Sequence, residues 1–107
     1  MTKCVMGMRR KRMKENSIIT DDWEHCYLCG ASGYLEEHHC MHGTANRKQA
    51  EKYGLKVPLC PNCHRNGPRA VHRNKTTDLY LKKISQLEFE SKYSYELWMH
   101  IFGKNYR

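Results

Sequence analysis

Four cysteines pose the first chemical question, because they come as two pairs: Cys26-x-x-Cys29 and Cys60-x-x-Cys63. Two residues between cysteines let both thiolates reach one ion while nearby backbone N–H groups point at the sulfurs. Two such turns complete a tetrahedral, closed coordination sphere. The pattern predicts one structural Zn²⁺, although the 30 residues between the pairs exceed the commoner zinc-ribbon gap. With all four sulfurs engaged there is no open position, so this metal is expected to hold the fold rather than to react. A redox CxxC would call for a thioredoxin-like pattern, which the chain lacks. Cys4 and Cys40 are left over, the first in a basic N-terminal stretch and the second expected to pack within a strand.

The informative histidines lie between and just after the cysteine pairs: Glu37-His38-His39, His64 directly after Cys63, and His72 eight residues further on. Any one of them alone is more often a surface or hydrogen-bonded residue than a ligand. Together they form a constellation: a His pair before one knuckle and a Cys-His after the other. Adjacent strand residues face opposite sides. Either one of His38 and His39 contacts a metal while the other faces substrate, or a local distortion brings both together.

The elements that must position these side chains are short. Residues 34–40 read as a strand. Thr44 is placed to cap a helix over 45–53, with Gly54 at its stop position. Lys56–Leu59 reads as a second strand whose Pro58 suits an edge or a hairpin arm. Pro61 opens a brief helix carrying Cys63 and His64, interrupted by Gly67-Pro68. From Thr76 the spacing of Tyr80, Ile84 and Leu87, and of Phe89 and Tyr93, predicts a helix with that face in the core. Ser94 caps another, bearing Leu97, Trp98, Ile101 and Phe102.

With 107 residues, 39% of them apolar, the chain has room for one domain and a modest core that a metal would help to staple. It shows no apolar leader and no run long enough to span a membrane, so a reducing, cytoplasmic setting is expected, where paired cysteines mean metal. The net charge of +8 is uneven. Residues 1–15 hold six Lys or Arg against Glu15 and read as a flexible basic arm; 16–43 carry five acids and no Lys or Arg; 44–75 hold eight basic residues against Glu51. A basic block beside a metal site suits a polyanion, with Arg9, Arg10, Lys11, Arg12, Arg47, Lys48, Arg65, Arg69 and Arg73 as its candidate contacts.

CxxC, then a strand ending in HH, then LCxxCH resembles the zinc-stapled form of the HNH, or ββα-metal, nuclease family. The stretch HHCMHGTANRKQAEKYGLKVPLCPNCH, with VH at 71–72, is similar to small phage and prophage HNH proteins of the recombination-enhancement (Ref) type. The resemblance covers roughly residues 20–106, with its motif core at 26–72. It implies an α+β fold over 16–107: a small ββα-metal finger with a tetracysteine zinc site and C-terminal helices. It also implies a metal-dependent endonuclease of a bacterial host's cytoplasm, hydrolysing DNA. In that pattern His39 is the general base, His38 the first metal ligand, His64 the ligand on the helix, and His72 a further ligand. The catalytic ion would be Mg²⁺, Mn²⁺, Ni²⁺ or Zn²⁺, and the partners DNA and recombination proteins. The family's middle Asn usually lies a few residues before LCxxCH, where this chain has Leu55 and Lys56; Asn46 is the nearest upstream candidate. The rival reading is a non-catalytic zinc module that binds DNA to assist recombination or packaging. A RING- or LIM-type interaction finger would need a second set of four ligands interleaved with the first.

Overall fold

The computed structural model describes residues 17–107, so the arm assigned to residues 1–15, with Arg9, Arg10, Lys11 and Arg12, lies outside the described residues. The architecture is a small α+β one. Strand β1 (Glu36–His39) pairs antiparallel with β2 (Lys56–Leu59) in a two-stranded sheet, and helix α1 (Thr44–Tyr53) connects them. A single π-helical turn (Asn62–Asn66) follows β2, then the long helix α2 (Lys75–Lys92) and the short α3 (Tyr95–Phe102). Among the described residues no helix is long and apolar enough to cross a membrane.

Local chemistry accounts for the ends of the helices. Gly54 adopts the left-handed conformation at φ 74° and its N–H closes α1 on the Ala50 carbonyl. A non-glycine residue there would carry a Cβ penalty. Thr44, expected as the cap of α1, is instead its first residue; Gly43 precedes it and supplies no side-chain bond. Asn74 and Ser94 do cap α2 and α3, accepting from the N–H groups of Thr77 and Leu97 at 3.1 and 3.0 Å.

Two apolar clusters hold these elements together. Cys26, Leu35, Cys40, Val57, Leu59, Val71 and Leu81 form one, packed against the cysteine knuckles. Met41, Ala50, Leu55, Phe89 and Trp98 form the other, between α1 and the C-terminal helices. Cys40 is buried as expected but lies just past the end of β1, which is shorter than the strand expected over 34–40, and burial pushes its thiol up to about 12.

Phe89 is buried as expected, but the rest of the buried face of α2 differs from the expected one. Leu81, Ser85 and Phe89 line it, with Gln86 beside them, whereas Tyr80, Leu87 and Tyr93 are exposed. Neighbouring helix positions are about 100° apart. Docking Leu81 against the sheet cluster therefore turns Tyr80 outward, despite its apolar spacing with Ile84 and Leu87. Gln86 earns its burial by tying down the tail. Its Nε2 donates to Asn105 at 2.9 Å, and its Oε1 accepts from the Tyr106 N–H at 2.6 Å. Trp98 Nε1 donates to the Lys104 carbonyl at 2.8 Å.

Candidate metal centres

The two knuckles converge. Cys26, Cys29, Cys60 and Cys63 place their sulfurs within 4.8 Å of one another, a compact set that could form a metal site. The first knuckle is closed by Cys26 N–H to Ala31 O and Gly30 N–H to Cys26 O, at 2.8 and 2.9 Å, with Gly30 at φ 81°. Tyr27 N–H donates to Pro58 O at 2.8 Å and so docks this knuckle on β2, which leads directly into the second.

The sulfurs suit a tetrahedral ion. Cys29 Sγ and Cys60 Sγ lie 3.7 Å apart, close to the ~3.8 Å edge of a tetrahedron with Zn–S bonds near 2.3 Å. Burial works against the Cys26 thiolate. Backbone N–H groups of Cys60, Cys29 and Leu28 more than offset it and bring the thiol down to about 7. Donated N–H bonds of this kind stabilise thiolates at an ion.

A second cluster joins residues that are distant in sequence. His38, His64 and His72 each place a ring nitrogen within 4.8 Å of the others. His38 points from β1 into the interior, only 3% exposed. Burial, followed by repulsion from His64, His72 and His42, lowers its pKa to about 3, so the ring is neutral and its nitrogen lone pair is available. His64 rides on the π-helical turn, and the loop after it is strapped alongside. Val71 N–H donates to Cys63 O and His72 N–H to His64 O, at 2.8 and 3.2 Å, which brings His72 back beside His64.

Three observations test whether a divalent ion fits this trio. His38 Nε2 is buried without a hydrogen-bond partner among the described residues, a costly state unless a ligand satisfies it. His64 Nε2 and His72 Nε2 are 3.0 Å apart, near the ~3.3 Å that tetrahedral metal–nitrogen bonds of about 2.0–2.1 Å would give. Finally, His64 Nδ1 donates to Glu36 Oε1 at 2.6 Å, leaving Nε2 as the lone-pair nitrogen. Carboxylates bonded to the outer nitrogen of a ligating histidine typically fix its tautomer in this way. The His64 hydrogen bond, with Arg65 nearby, holds the Glu36 carboxyl below the usual carboxylate range. The trio fits a metal.

His39 is not part of that cluster. It follows His38 on a regular strand and so faces the other way, with Glu37. Its Nε2 donates to Glu51 of α1 at 2.8 Å. Glu37, His39 and Glu51 also approach one another closely enough to attract a cation. Lys56 already serves there: its buried ammonium lies 3.0 Å from both carboxylates. Lys56 thus bridges β1 to α1.

The remaining expected contacts are scattered. Arg47 and Lys48 line a shallow hollow with Glu37, His39 and Glu51. Arg65 lies 3.4 Å from Glu36, and Arg69 lines a groove with Cys29, Cys63 and Tyr80. Arg73 lines a cleft of about 480 Å³ together with His42, His72, Asn74, Lys75, Asp78, Lys82, Lys104 and Tyr106. This cleft opens beside the histidine trio and gathers four basic side chains.

Glu36, His42 and Asp78 went unnoticed in the sequence. Glu36 had a legible signal, because it lies two residues before His38 and shares its face of β1. His42 Nε2 donates to Asp78 Oδ1 at 2.8 Å across 36 positions of chain, which no local pattern announces. Burial tends to raise the Asp78 carboxyl, but hydrogen bonds from His42 and Lys82 hold it below the usual carboxylate range.

Gly67 is the hinge on which the second cluster depends. Its N–H closes the π-helical turn on Asn62 O, and a Cβ there would meet that same oxygen at 2.8 Å and Asn62 Oδ1 at 2.7 Å. Gly67→Ala is therefore expected to force the turn open and cost about 1–3 kcal/mol, as overpacking does. Thermal melts check this; an unchanged midpoint would show that Asn62 yields freely. In comparisons with known proteins, no family model, curated protein or solved structure matches this chain.

Proposed function

We propose that the protein is a metal-dependent DNA endonuclease whose ion is held by His38, His64 and His72, with Zn²⁺ at the four cysteines as its structural staple. One observation carries the reading: His38 and His64, both buried, meet the exposed His72, and His38 Nε2 has no hydrogen-bond partner among the described residues, beside a cleft lined by Arg73, Lys75, Lys82 and Lys104. A cation site next to concentrated positive charge suits the negative charge of a phosphodiester backbone. Two antiparallel strands joined by α1 and followed by a helical turn bearing His64 are compatible with a ββα-metal finger carrying an inserted helix, and the resemblance in motifs supports that reading.

The work of this chain's own residues is to bind and to orient. Lys75, Lys82, Lys104 and Arg73 draw the backbone into the cleft, with Asn74 at its wall. Glu36 holds the His64 ring in the tautomer that leaves Nε2 free. When bound, the ion would offset negative charge gathering on the scissile phosphate. A non-catalytic zinc module would explain the four cysteines and the basic surface, but it leaves unexplained a His38 nitrogen without a hydrogen-bond partner among the described residues.

The test is nicking of supercoiled plasmid by the purified protein with Mg²⁺, Mn²⁺, Ni²⁺ and Zn²⁺ supplied separately. Cutting with at least one of these ions, abolished by chelation and restored by that ion, is the expected result. Tight DNA binding without cutting under any ion would overturn the nuclease reading in favour of the binding module.

A further inference from the structure

If the nuclease reading holds, the site needs a group that accepts a proton from the attacking water, and the motif resemblance assigns that task to His39. The structure turns His39 to the far face of β1 and commits its Nε2 to Glu51. A different histidine stands on the near side. After β1 the chain bends through Cys40 and Met41, both buried, and returns His42 to the trio. The His42 ring centroid lies 6.2 Å from those of both His38 and His72. Its nitrogens are not within the close cluster that His38, His64 and His72 form, so it neighbours the ion site without completing it.

We propose that His42, oriented by Asp78, is the general base of the cleavage reaction. An ionised carboxylate can only accept, so the 2.8 Å contact fixes the proton on His42 Nε2 and leaves the lone pair on Nδ1. Asp78 is itself anchored by Lys82, whose Nζ lies 3.0 Å from its other oxygen. The carboxylate side chain is 15% exposed while the imidazole is 43% exposed, so a held partner orients a solvent-accessible ring. His42 and His72 line the same basic cleft, where a backbone phosphate would lie.

In the step itself His42 Nδ1 takes one proton from water as the water oxygen bonds to phosphorus. The phosphorus–O3′ bond breaks, and the departing oxygen takes a proton from solvent. The products are a 5′-phosphate and a 3′-hydroxyl, and the imidazolium returns its proton to the buffer. No electrons are exchanged with a redox partner.

Four measurements on the zinc-loaded protein test this: Mn²⁺ affinity by calorimetry, affinity for a duplex oligonucleotide without added Mn²⁺, the single-turnover cleavage rate, and its rescue by free imidazole. His42→Ala is expected to keep both affinities within about twofold and to lose about a hundred- to ten-thousand-fold in rate. Added imidazole should restore part of that rate, which a merely structural role would not allow. Asp78→Asn should show a smaller loss with the same affinities. Wild-type cutting by His42→Ala would overturn the proposal while leaving the nuclease reading intact, as would loss of cutting in His39→Ala alone. Weakened Mn²⁺ binding by His42→Ala would make it a ligand instead and overturn its role as base. An inert wild type would overturn both readings together.

Discussion

Replacing Cys60 with serine is expected to leave the protein unfolded and without zinc. Cys60 Sγ sits 3.7 Å from Cys29 Sγ in a set of four sulfurs that closes around one point, and the sheet-side apolar cluster is built against these knuckles. Structural zinc sites contribute roughly 10–16 kcal/mol of apparent binding free energy, which becomes folding free energy when the unfolded chain has no preformed site. Whole domains are stable by only about 5–15 kcal/mol, so a chain of this size has no comparable reserve. Circular dichroism and metal analysis after dialysis check the expectation, with about one zinc per chain in the parent protein. A zinc-free Cys60→Ser variant with the parent's cooperative melt would show that the four thiols are merely packed.

His38→Ala is expected to behave in the opposite way, keeping the fold and losing the second metal together with cleavage. His38 lies in van der Waals reach of both partner rings, with centroids 5.2 Å away, and it is almost fully buried. Truncating it leaves a small cavity, but it also removes a buried nitrogen that has no hydrogen-bond partner among the described residues. These effects oppose each other, since an unsatisfied buried polar atom costs about 1–3 kcal/mol. The thermal midpoint measured without the second ion should therefore move little. Loss of one of three nitrogens should weaken that ion's binding by more than the ~10–100-fold typical of changes one shell further out. Calorimetry with Mn²⁺ and the plasmid assay read the two effects separately. A strongly destabilised variant that binds Mn²⁺ like the parent would place His38 in the core as an ordinary packed histidine.

Convergence of the cysteines was legible because a CxxC turn is local: its geometry depends on a few residues, and two such turns suit a single four-sulfur site. The strand over Lys56–Leu59, the cap at Ser94 and the stop at Gly54 were readable for the same reason, whereas the cap at Asn74 was not anticipated. The sequence also contained the alternation that separates His38 from His39, but not which of them faces the interior. That was decided when β1 paired with β2 in the register His38↔Val57 and His39↔Lys56. This pairing put His39 on the side of Glu51 and Lys56, and His38 on the side of the π-helical turn.

Apart from the cysteine pairs and the grouping of His38, His64 and His72 that the motif resemblance implied, long-range closure was not legible in the sequence. Phe89 is buried as expected, but the rest of the buried face of α2 passed from Tyr80, Leu87 and Tyr93 to Leu81, because docking chooses the helix rotation and both stripes carry apolar residues. His72 reached His64 through backbone bonds folded over Gly67, a position where only the missing Cβ lets the turn close. His42 met Asp78 through the packing of α2 against the first cluster. Residue types and short spacings determine which chemistry a chain can hold, since ligand character and turn geometry are local properties. Which nitrogens and carboxylates come to face one another depends on strand register and helix rotation, and those follow from burying the whole core at once.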